Sequence, residues 1–209
     1  MIKIREIIMN PYVSLAKLAA ENYIKEREII SPPGDLPEEF LKKRSGVFVT
    51  IEKNGELRGC IGTYLPTRIN IAEEIIHNAV AAATEDYRFG SIKKEELPYL
   101  SYTVYILSYP ELVKDSNPPT TLPLLCKQAP LKELDPKKFG IIVKTAPFAF
   151  PNEDVVFNGH VPFKSGLLLP DLEEVNTIEQ QISIACQKAG IDPEKEKIII
   201  YKFTVEKYQ

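Results

Sequence analysis

Apolar residues recur along this chain with two periods, and the switches between them divide it into elements. Leu15, Leu18, Ala19 and Tyr23 recur at helical spacing. Asn10-Pro11 ahead of them supplies a cap and a first-turn proline, which predicts a helix from there to about Glu28. Ser31-Pro32-Pro33-Gly34-Asp35 ends it in a turn, and Leu36 to Lys43 reads as a short helix. Gly46 to Lys53 is rich in β-branched and aromatic residues and reads as a strand. Asn54-Gly55 is a strong hairpin signal, so Leu57 to Tyr64 returns antiparallel to it. Asn70 opens a further helix that carries Ile71, Ile75, Ala79 and Ala82 on one face and runs to about Thr84. Glu85 to Gly90 is a polar and aromatic connector, Lys93 to Leu97 a helical turn ended by Pro98, and Ser101 to Ser108 a strand.

The second half repeats parts of this pattern. Gly59 lies 107 residues before Gly166, and the same offset aligns Ile71 with Ile178, Ile75 with Ile182 and Ala82 with Ala189. A strand over Phe139 to Lys144 precedes the second set, and a strand over IIIYKFTV follows it. The pattern predicts a duplicated strand–strand–helix–strand unit, 46–108 and 139–206. Between the copies, Asp115 to Pro130 holds four prolines and reads as an irregular excursion, and Thr145 to Lys164 reads as a long loop with four phenylalanines. The fold class that follows is α+β, with mainly antiparallel sheets, flanking helices and two lobes.

Composition narrows the function classes. A net charge of −3 gives no basic excess for a nucleic-acid or anionic-membrane partner. No apolar run approaches the roughly 20 residues of a membrane-spanning helix. The first residues, MIKIREIIMNPY, lack the apolar stretch and small-residue cleavage site of a secretory signal, which points to the cytoplasm. Cys60, Cys126 and Cys186 are widely spaced and form no C-x-x-C pair, and His77 and His160 sit in no cluster with ligand spacing, so no metal is expected.

Candidate chemistry concentrates in Leu57-Arg58-Gly59-Cys60-Ile61-Gly62. A thiol two residues from a fixed positive charge has the makings of an activated thiolate, and Cys60 is the candidate catalytic residue. The competing reading makes Cys60 a small buried hydrophobe between glycines. Arg58 and Arg88 offer planar forks for a carboxylate or phosphate, with Glu85 and Asp86 beside Arg88 as candidate acid or base. The alternative is that Arg58 or Arg88 pairs with Asp86 or Glu85 and ties the connector down. Gly59 and Gly62 would leave a bare backbone against which a ligand can lie. Glu74 and Asn78, spaced i, i+4, read as part of a solvated helix face, with reach to the cleft as the alternative, and Glu73 near the helix start as favouring the macrodipole; Tyr99, Tyr102, Tyr105 and Tyr109 read mainly as core and lobe-interface residues.

The segments LRGCIGTYLPTRINIAEEIIHNAVAAATEDYRF, EELPYLSYTVYILSYPELV, ELDPKKFGIIV and GLLLPDLEEVNTIEQQISIACQKAGI together resemble the AMMECR-type domain, over essentially the whole chain from about Pro11 to Gln209. LRGCIG is the signature of that family. The resemblance implies an intracellular two-lobed α+β protein with a cleft between the lobes, built as a single domain over 1–209. It implies no established reaction and names no cofactor. Prokaryotic members often accompany Memo-like and radical-SAM proteins, which implies a shared pathway. Two departures stand out: relatives commonly read D-P-R-F where this chain has Asp86-Tyr87-Arg88-Phe89, and the loop from Thr145 to Lys164, which holds His160, is longer than usual.

Two functions of different class are consistent with these residues. In the first, the protein is an enzyme or ligand-binding protein that takes a small anionic molecule or a modified peptide in a cleft at LRGCIG. In the second, it is a non-catalytic interaction module that binds a peptide along the glycine-lined strand by β-augmentation.

Overall fold

The structure is a computed structural model that describes residues 10–113, 131, 134–145, 164–196 and 198–209. The chain divides into two compact units, Met1–Tyr109 with Glu206–Gln209, and Pro110–Val205. Both are mixed helix and antiparallel sheet, as the α+β pattern predicts.

The first unit opens with α1 (Pro11–Glu26), where the Asn10 side chain accepts the Tyr12 amide and Pro11 occupies the first turn. After the short α2 (Glu38–Lys42), strands β1 (Val47–Lys53) and β2 (Glu56–Thr63) form the expected hairpin. Asn54 and Gly55 both have positive φ, 53° and 85°, the backbone that a two-residue hairpin turn demands. Helix α3 (Ile71–Thr84) is capped by Asn70, which accepts the Glu73 amide, and a 3₁₀ turn (Lys94–Tyr99) leads into β3 (Leu100–Leu107). The sheet order is β2-β1-β3-β8, where β8 is Val205–Tyr208. Val47, Val49 and Ile51 alternate with half-buried residues along β1 and face the helices. They join Val104 and Ile106 of β3, the α1 alanines 16, 19 and 20, and the predicted stripe Ile71, Ile75, Ala79 and Ala82 in one core.

The second unit holds β4 (Glu111–Leu112), β5 (Gly140–Thr145), β6 (Ser165–Leu168), α4 (Ile178–Ala189) and β7 (Ile198–Phe203), in the sheet order β4-β7-β5-β6. Thr177 and Gln180 form a capping box at the start of α4, and Gly190 ends it with a φ of 63°. Ile178, Ile182 and Ala185 pack on Ile141, Val143, Ile198 and Ile200. Residues Asp115 to Pro130, with Cys126, and most of the loop from Thr145 to Lys164, with His160, lie outside the described residues.

One element departs from the sequence reading. IIIYKFTV was read as one strand, but the chain passes from β7 in the second sheet to β8 in the first across Thr204. No glycine or proline marks that change of sheet.

Candidate functional site

Among the described residues β2 is an outer strand of its sheet, and its pairing with β1 is irregular where the signature begins. Ile51 stands opposite Gly59 and Glu52 opposite Leu57, so Arg58 is the additional residue of a β-bulge. The Arg58 guanidinium grips Glu96 with two parallel bonds, Nε to Oε2 and Nη2 to Oε1, both 3.0 Å, and Nη1 donates to the Gly90 carbonyl at 2.8 Å. Lys53 and the Lys93 amide bond the same carboxylate. Arg58 first, with these two adding, holds Glu96 down at about 2 against the effect of burial. The charge of Arg58 is therefore balanced by a carboxylate that the sequence reading did not name. It ties the hairpin to the segment before β3.

Arg88 is also paired, here with the partner expected of it. Its Nε and Nη2 donate to the two oxygens of Asp86 at 2.9 and 2.7 Å, and its own amide donates to Oδ1 at 3.2 Å. The same Asp86 Oδ2 accepts the Cys60 amide at 2.9 Å, so Cys60 and Arg88 converge on one oxygen. The Arg88 side chain, with the Cys60 and Arg88 amides adding, lowers the Asp86 carboxyl to about 2 although burial opposes it. Arg88 remains 45% exposed, unlike Asp86 at 4%. Asp86 first, with Cys60 and Tyr87 among the smaller contributors, raises the Arg88 pKa further. Glu85 is exposed at the end of α3, where its amide bonds the Ala81 carbonyl.

Cys60 is half-buried. It faces Thr50 across the hairpin, and because its amide points outward to Asp86 the two residues form a close, non-hydrogen-bonded pair. The Thr50 hydroxyl lies 3.2 Å from Sγ. On β3, Thr103 follows in the same cross-strand row, with Tyr105 beside it opposite Phe48. Burial raises the Tyr105 phenol, Cys60 and Glu52 adding to it, while Thr50 pulls it back. The row Cys60, Thr50, Thr103 alternates with the inward-facing Val49, Ile51 and Val104, so it lies on the sheet face turned away from α1 and α3.

The two glycines have internal reasons to be glycine. A Cβ at Gly59 would lie 2.1 Å from the Ala82 carbonyl oxygen of α3, and one at Gly62 would strike the Phe48 ring at 2.3 Å. The side-chain position of Gly59 therefore packs against α3, and that of Gly62 against Phe48.

Glu74 and Asn78 correct the reading of a solvated helix face. Both are buried. Glu74 accepts from the Thr63 hydroxyl, both the amide and the hydroxyl of Thr67, and the Arg68 amide. Burial pushes its pKa up, and these bonds outweigh it, leaving the carboxyl below its usual range. Asn78 donates to the Val47 carbonyl at 3.1 Å. Glu74 fixes the turn between β2 and α3, and Asn78 ties α3 to the start of β1. Of the four tyrosines, Tyr102 is buried, whereas Tyr99 and Tyr109 are exposed. Among the described residues, no group of three or more His, Cys, Asp and Glu side chains is placed to hold a metal, and no helix is long and apolar enough to cross a membrane.

Comparison with known proteins covers nearly the whole chain. The AMMECR1 family model matches residues 13–208. A Thermotoga maritima protein is 43% identical over 201 residues, 96% of this chain and 98% of that protein. A Clostridium acetobutylicum protein is 39% identical across 95% of this chain, which spans 35% of that protein's length. The crystal structure of an uncharacterised Pyrococcus horikoshii protein is similar with a TM-score of 0.73 at 31% identity, over 94% of this chain and 88% of that one.

Proposed function

This chain belongs to the AMMECR1 family, and we propose that it binds a small anionic molecule, or the anionic group of a modified peptide, where Cys60 and Arg88 meet. One observation carries the reading: a single carboxylate oxygen of Asp86 holds both the Cys60 amide and the half-exposed Arg88 guanidinium, so a cation and a half-buried thiol are presented together. Asp86 fixes the orientation of the fork and leaves part of it facing solvent, which is what a carboxylate or phosphate needs for recognition. Cys60 and the Thr50 hydroxyl supply short polar contacts beside it.

The arrangement favours binding over nucleophilic catalysis. The Thr50 hydroxyl that bonds Sγ is not a group that takes up a thiol proton near neutral pH. Arg58, committed to Glu96, supports the ligand site only by fixing the hairpin. The reading of peptide addition along β2 is weakened because the outward Cys60 amide is already bonded. We also read the shared run of strand, strand, helix and strand in the two units, with sheet orders β2-β1-β3 and β6-β5-β7, as one duplicated unit whose first copy carries the polar chemistry.

The test is protection of Cys60 from iodoacetamide in a variant lacking Cys126 and Cys186. Inorganic phosphate, pyrophosphate and citrate serve as probes. At least one of them is expected to slow labelling severalfold in a saturable way, and Arg88→Gln to remove that protection while Cys60 still labels. Labelling that none of the three anions slows, or protection that survives Arg88→Gln, would overturn the proposal.

A further inference from the structure

The outer strands of the two sheets share a local arrangement. On β2, Gly59 is pressed against the helix above it, with the Ala82 carbonyl oxygen 2.1 Å from where a Cβ would stand. On β6, Gly166 is pressed in the same way against the Ala185 carbonyl oxygen, at 1.9 Å. In each case the residue after the glycine has a backbone group bonded by a charged side chain at the end of that same helix or just beyond it. Asp86, four positions beyond Ala82, accepts the Cys60 amide at 2.9 Å. Lys188, three positions beyond Ala185, donates to the Leu167 carbonyl at 3.1 Å. A carboxylate thus meets an amide on one edge and an ammonium meets a carbonyl on the other.

These are positions at which a neighbouring strand would bond. An outer strand presents unpaired amides and carbonyls to any extended chain, and proteins blunt such edges with charged side chains, bulges and short strands. The strands β4 and β8 on the opposite edges run for only two and four residues. Strand β2 runs for eight and carries the Arg58 bulge as well as the Asp86 contact. Arg58 adds to the cover by bonding the Gly90 carbonyl, which draws the connector towards the same strand.

We propose that Asp86 and Lys188 are edge guards, which close the outer strands β2 and β6 against pairing with a second copy of this chain. Each guard charge fills the bonding position of a backbone group and adds a charge that an incoming strand would have to displace. Removing a guard exposes that backbone group, and a second copy offers the matching edge in a two-fold arrangement, the self-complementary geometry that strand-to-strand dimers use.

The experiment compares the whole chain with three variants: Asp86→Ala, Asp86→Asn and Lys188→Met. Asp86→Asn retains an oxygen acceptor for the Cys60 amide, and Lys188→Met retains the apolar stem. Light scattering across a concentration series reads association, and hydrogen exchange reads the Cys60 amide. Asp86→Ala is expected to associate beyond the parent chain and to exchange the Cys60 amide about tenfold faster. Asp86→Asn is expected to keep the Cys60 amide exchange close to the parent and to associate less than Asp86→Ala, and Lys188→Met to associate beyond the parent. If Asp86→Ala does not fold, Lys188→Met decides, because it tests the same device on the other sheet with an exposed residue. Folded Asp86→Ala and Lys188→Met proteins whose association matches that of the parent would overturn the proposal, as would association equal in Asp86→Asn and Asp86→Ala.

Discussion

At the scale of single residues, the charges at and around the signature are paired with one another. Arg58 with Glu96 and Arg88 with Asp86 are bidentate pairs; both members of the first are well covered, whereas in the second Asp86 is buried and Arg88 half-exposed. Their partners were unequally legible. Asp86 lies two residues from Arg88, so its pairing was a stated alternative, whereas Glu96 lies 38 residues from Arg58 and only the fold brings them together. Glu74 and Asn78 are hidden for another reason: polar side chains on an inward face look like solvent-facing positions until their backbone partners, the Arg68 amide and the Val47 carbonyl, are in view. The ion pairs make an acid-limb prediction. Glu96 titrates at about 2 when folded and near 4.3 when unfolded, so its contribution is present above the unfolded value. That contribution is lost as pH falls from about 4.3 through about 2. Urea unfolding across this range is expected to show Glu96→Gln losing less stability than the parent chain, by on the order of 1–2 kcal/mol. Parallel acid limbs would contradict it.

At the scale of elements, the hairpin and the helix starts were the most legible parts, because each has a local cause. Asn54-Gly55 sets the turn, and Asn10, Asn70 and Thr177 accept the orphan amides of their helices. The Arg58 bulge and the change of sheet at Thr204 have no local cause, since both depend on what the strand pairs with. The signature glycines stand between these cases: they were conspicuous in the sequence, and the neighbours that require them appear only in the packing. Gly59→Ala forces a Cβ into the Ala82 carbonyl, backbone against backbone, so β2 or α3 must move. The expected loss is about 1–3 kcal/mol, read as a lower denaturation midpoint with unchanged m. An unchanged midpoint would show that the two elements are not held as closely as described.

At the scale of the whole molecule, the α+β class follows from alternation of helical and strand periods, and the family membership from motifs spread over nearly the full length. The function is less legible because several signature residues are tied up in ion pairing and packing. Arg58, Gly59 and Gly62 take part in ion pairing and packing, whereas Cys60 is half-buried and Arg88 is 45% exposed. The account therefore stands on Cys60 being reachable in the folded protein. The direct measurement is the rate of Cys60 alkylation by iodoacetamide across a pH series, on native protein lacking Cys126 and Cys186. The account predicts labelling without unfolding, at a rate that follows the thiolate fraction and is independent of the global unfolding equilibrium. Labelling that appears only in denaturant, in step with unfolding, would contradict it and leave Cys60 a core residue.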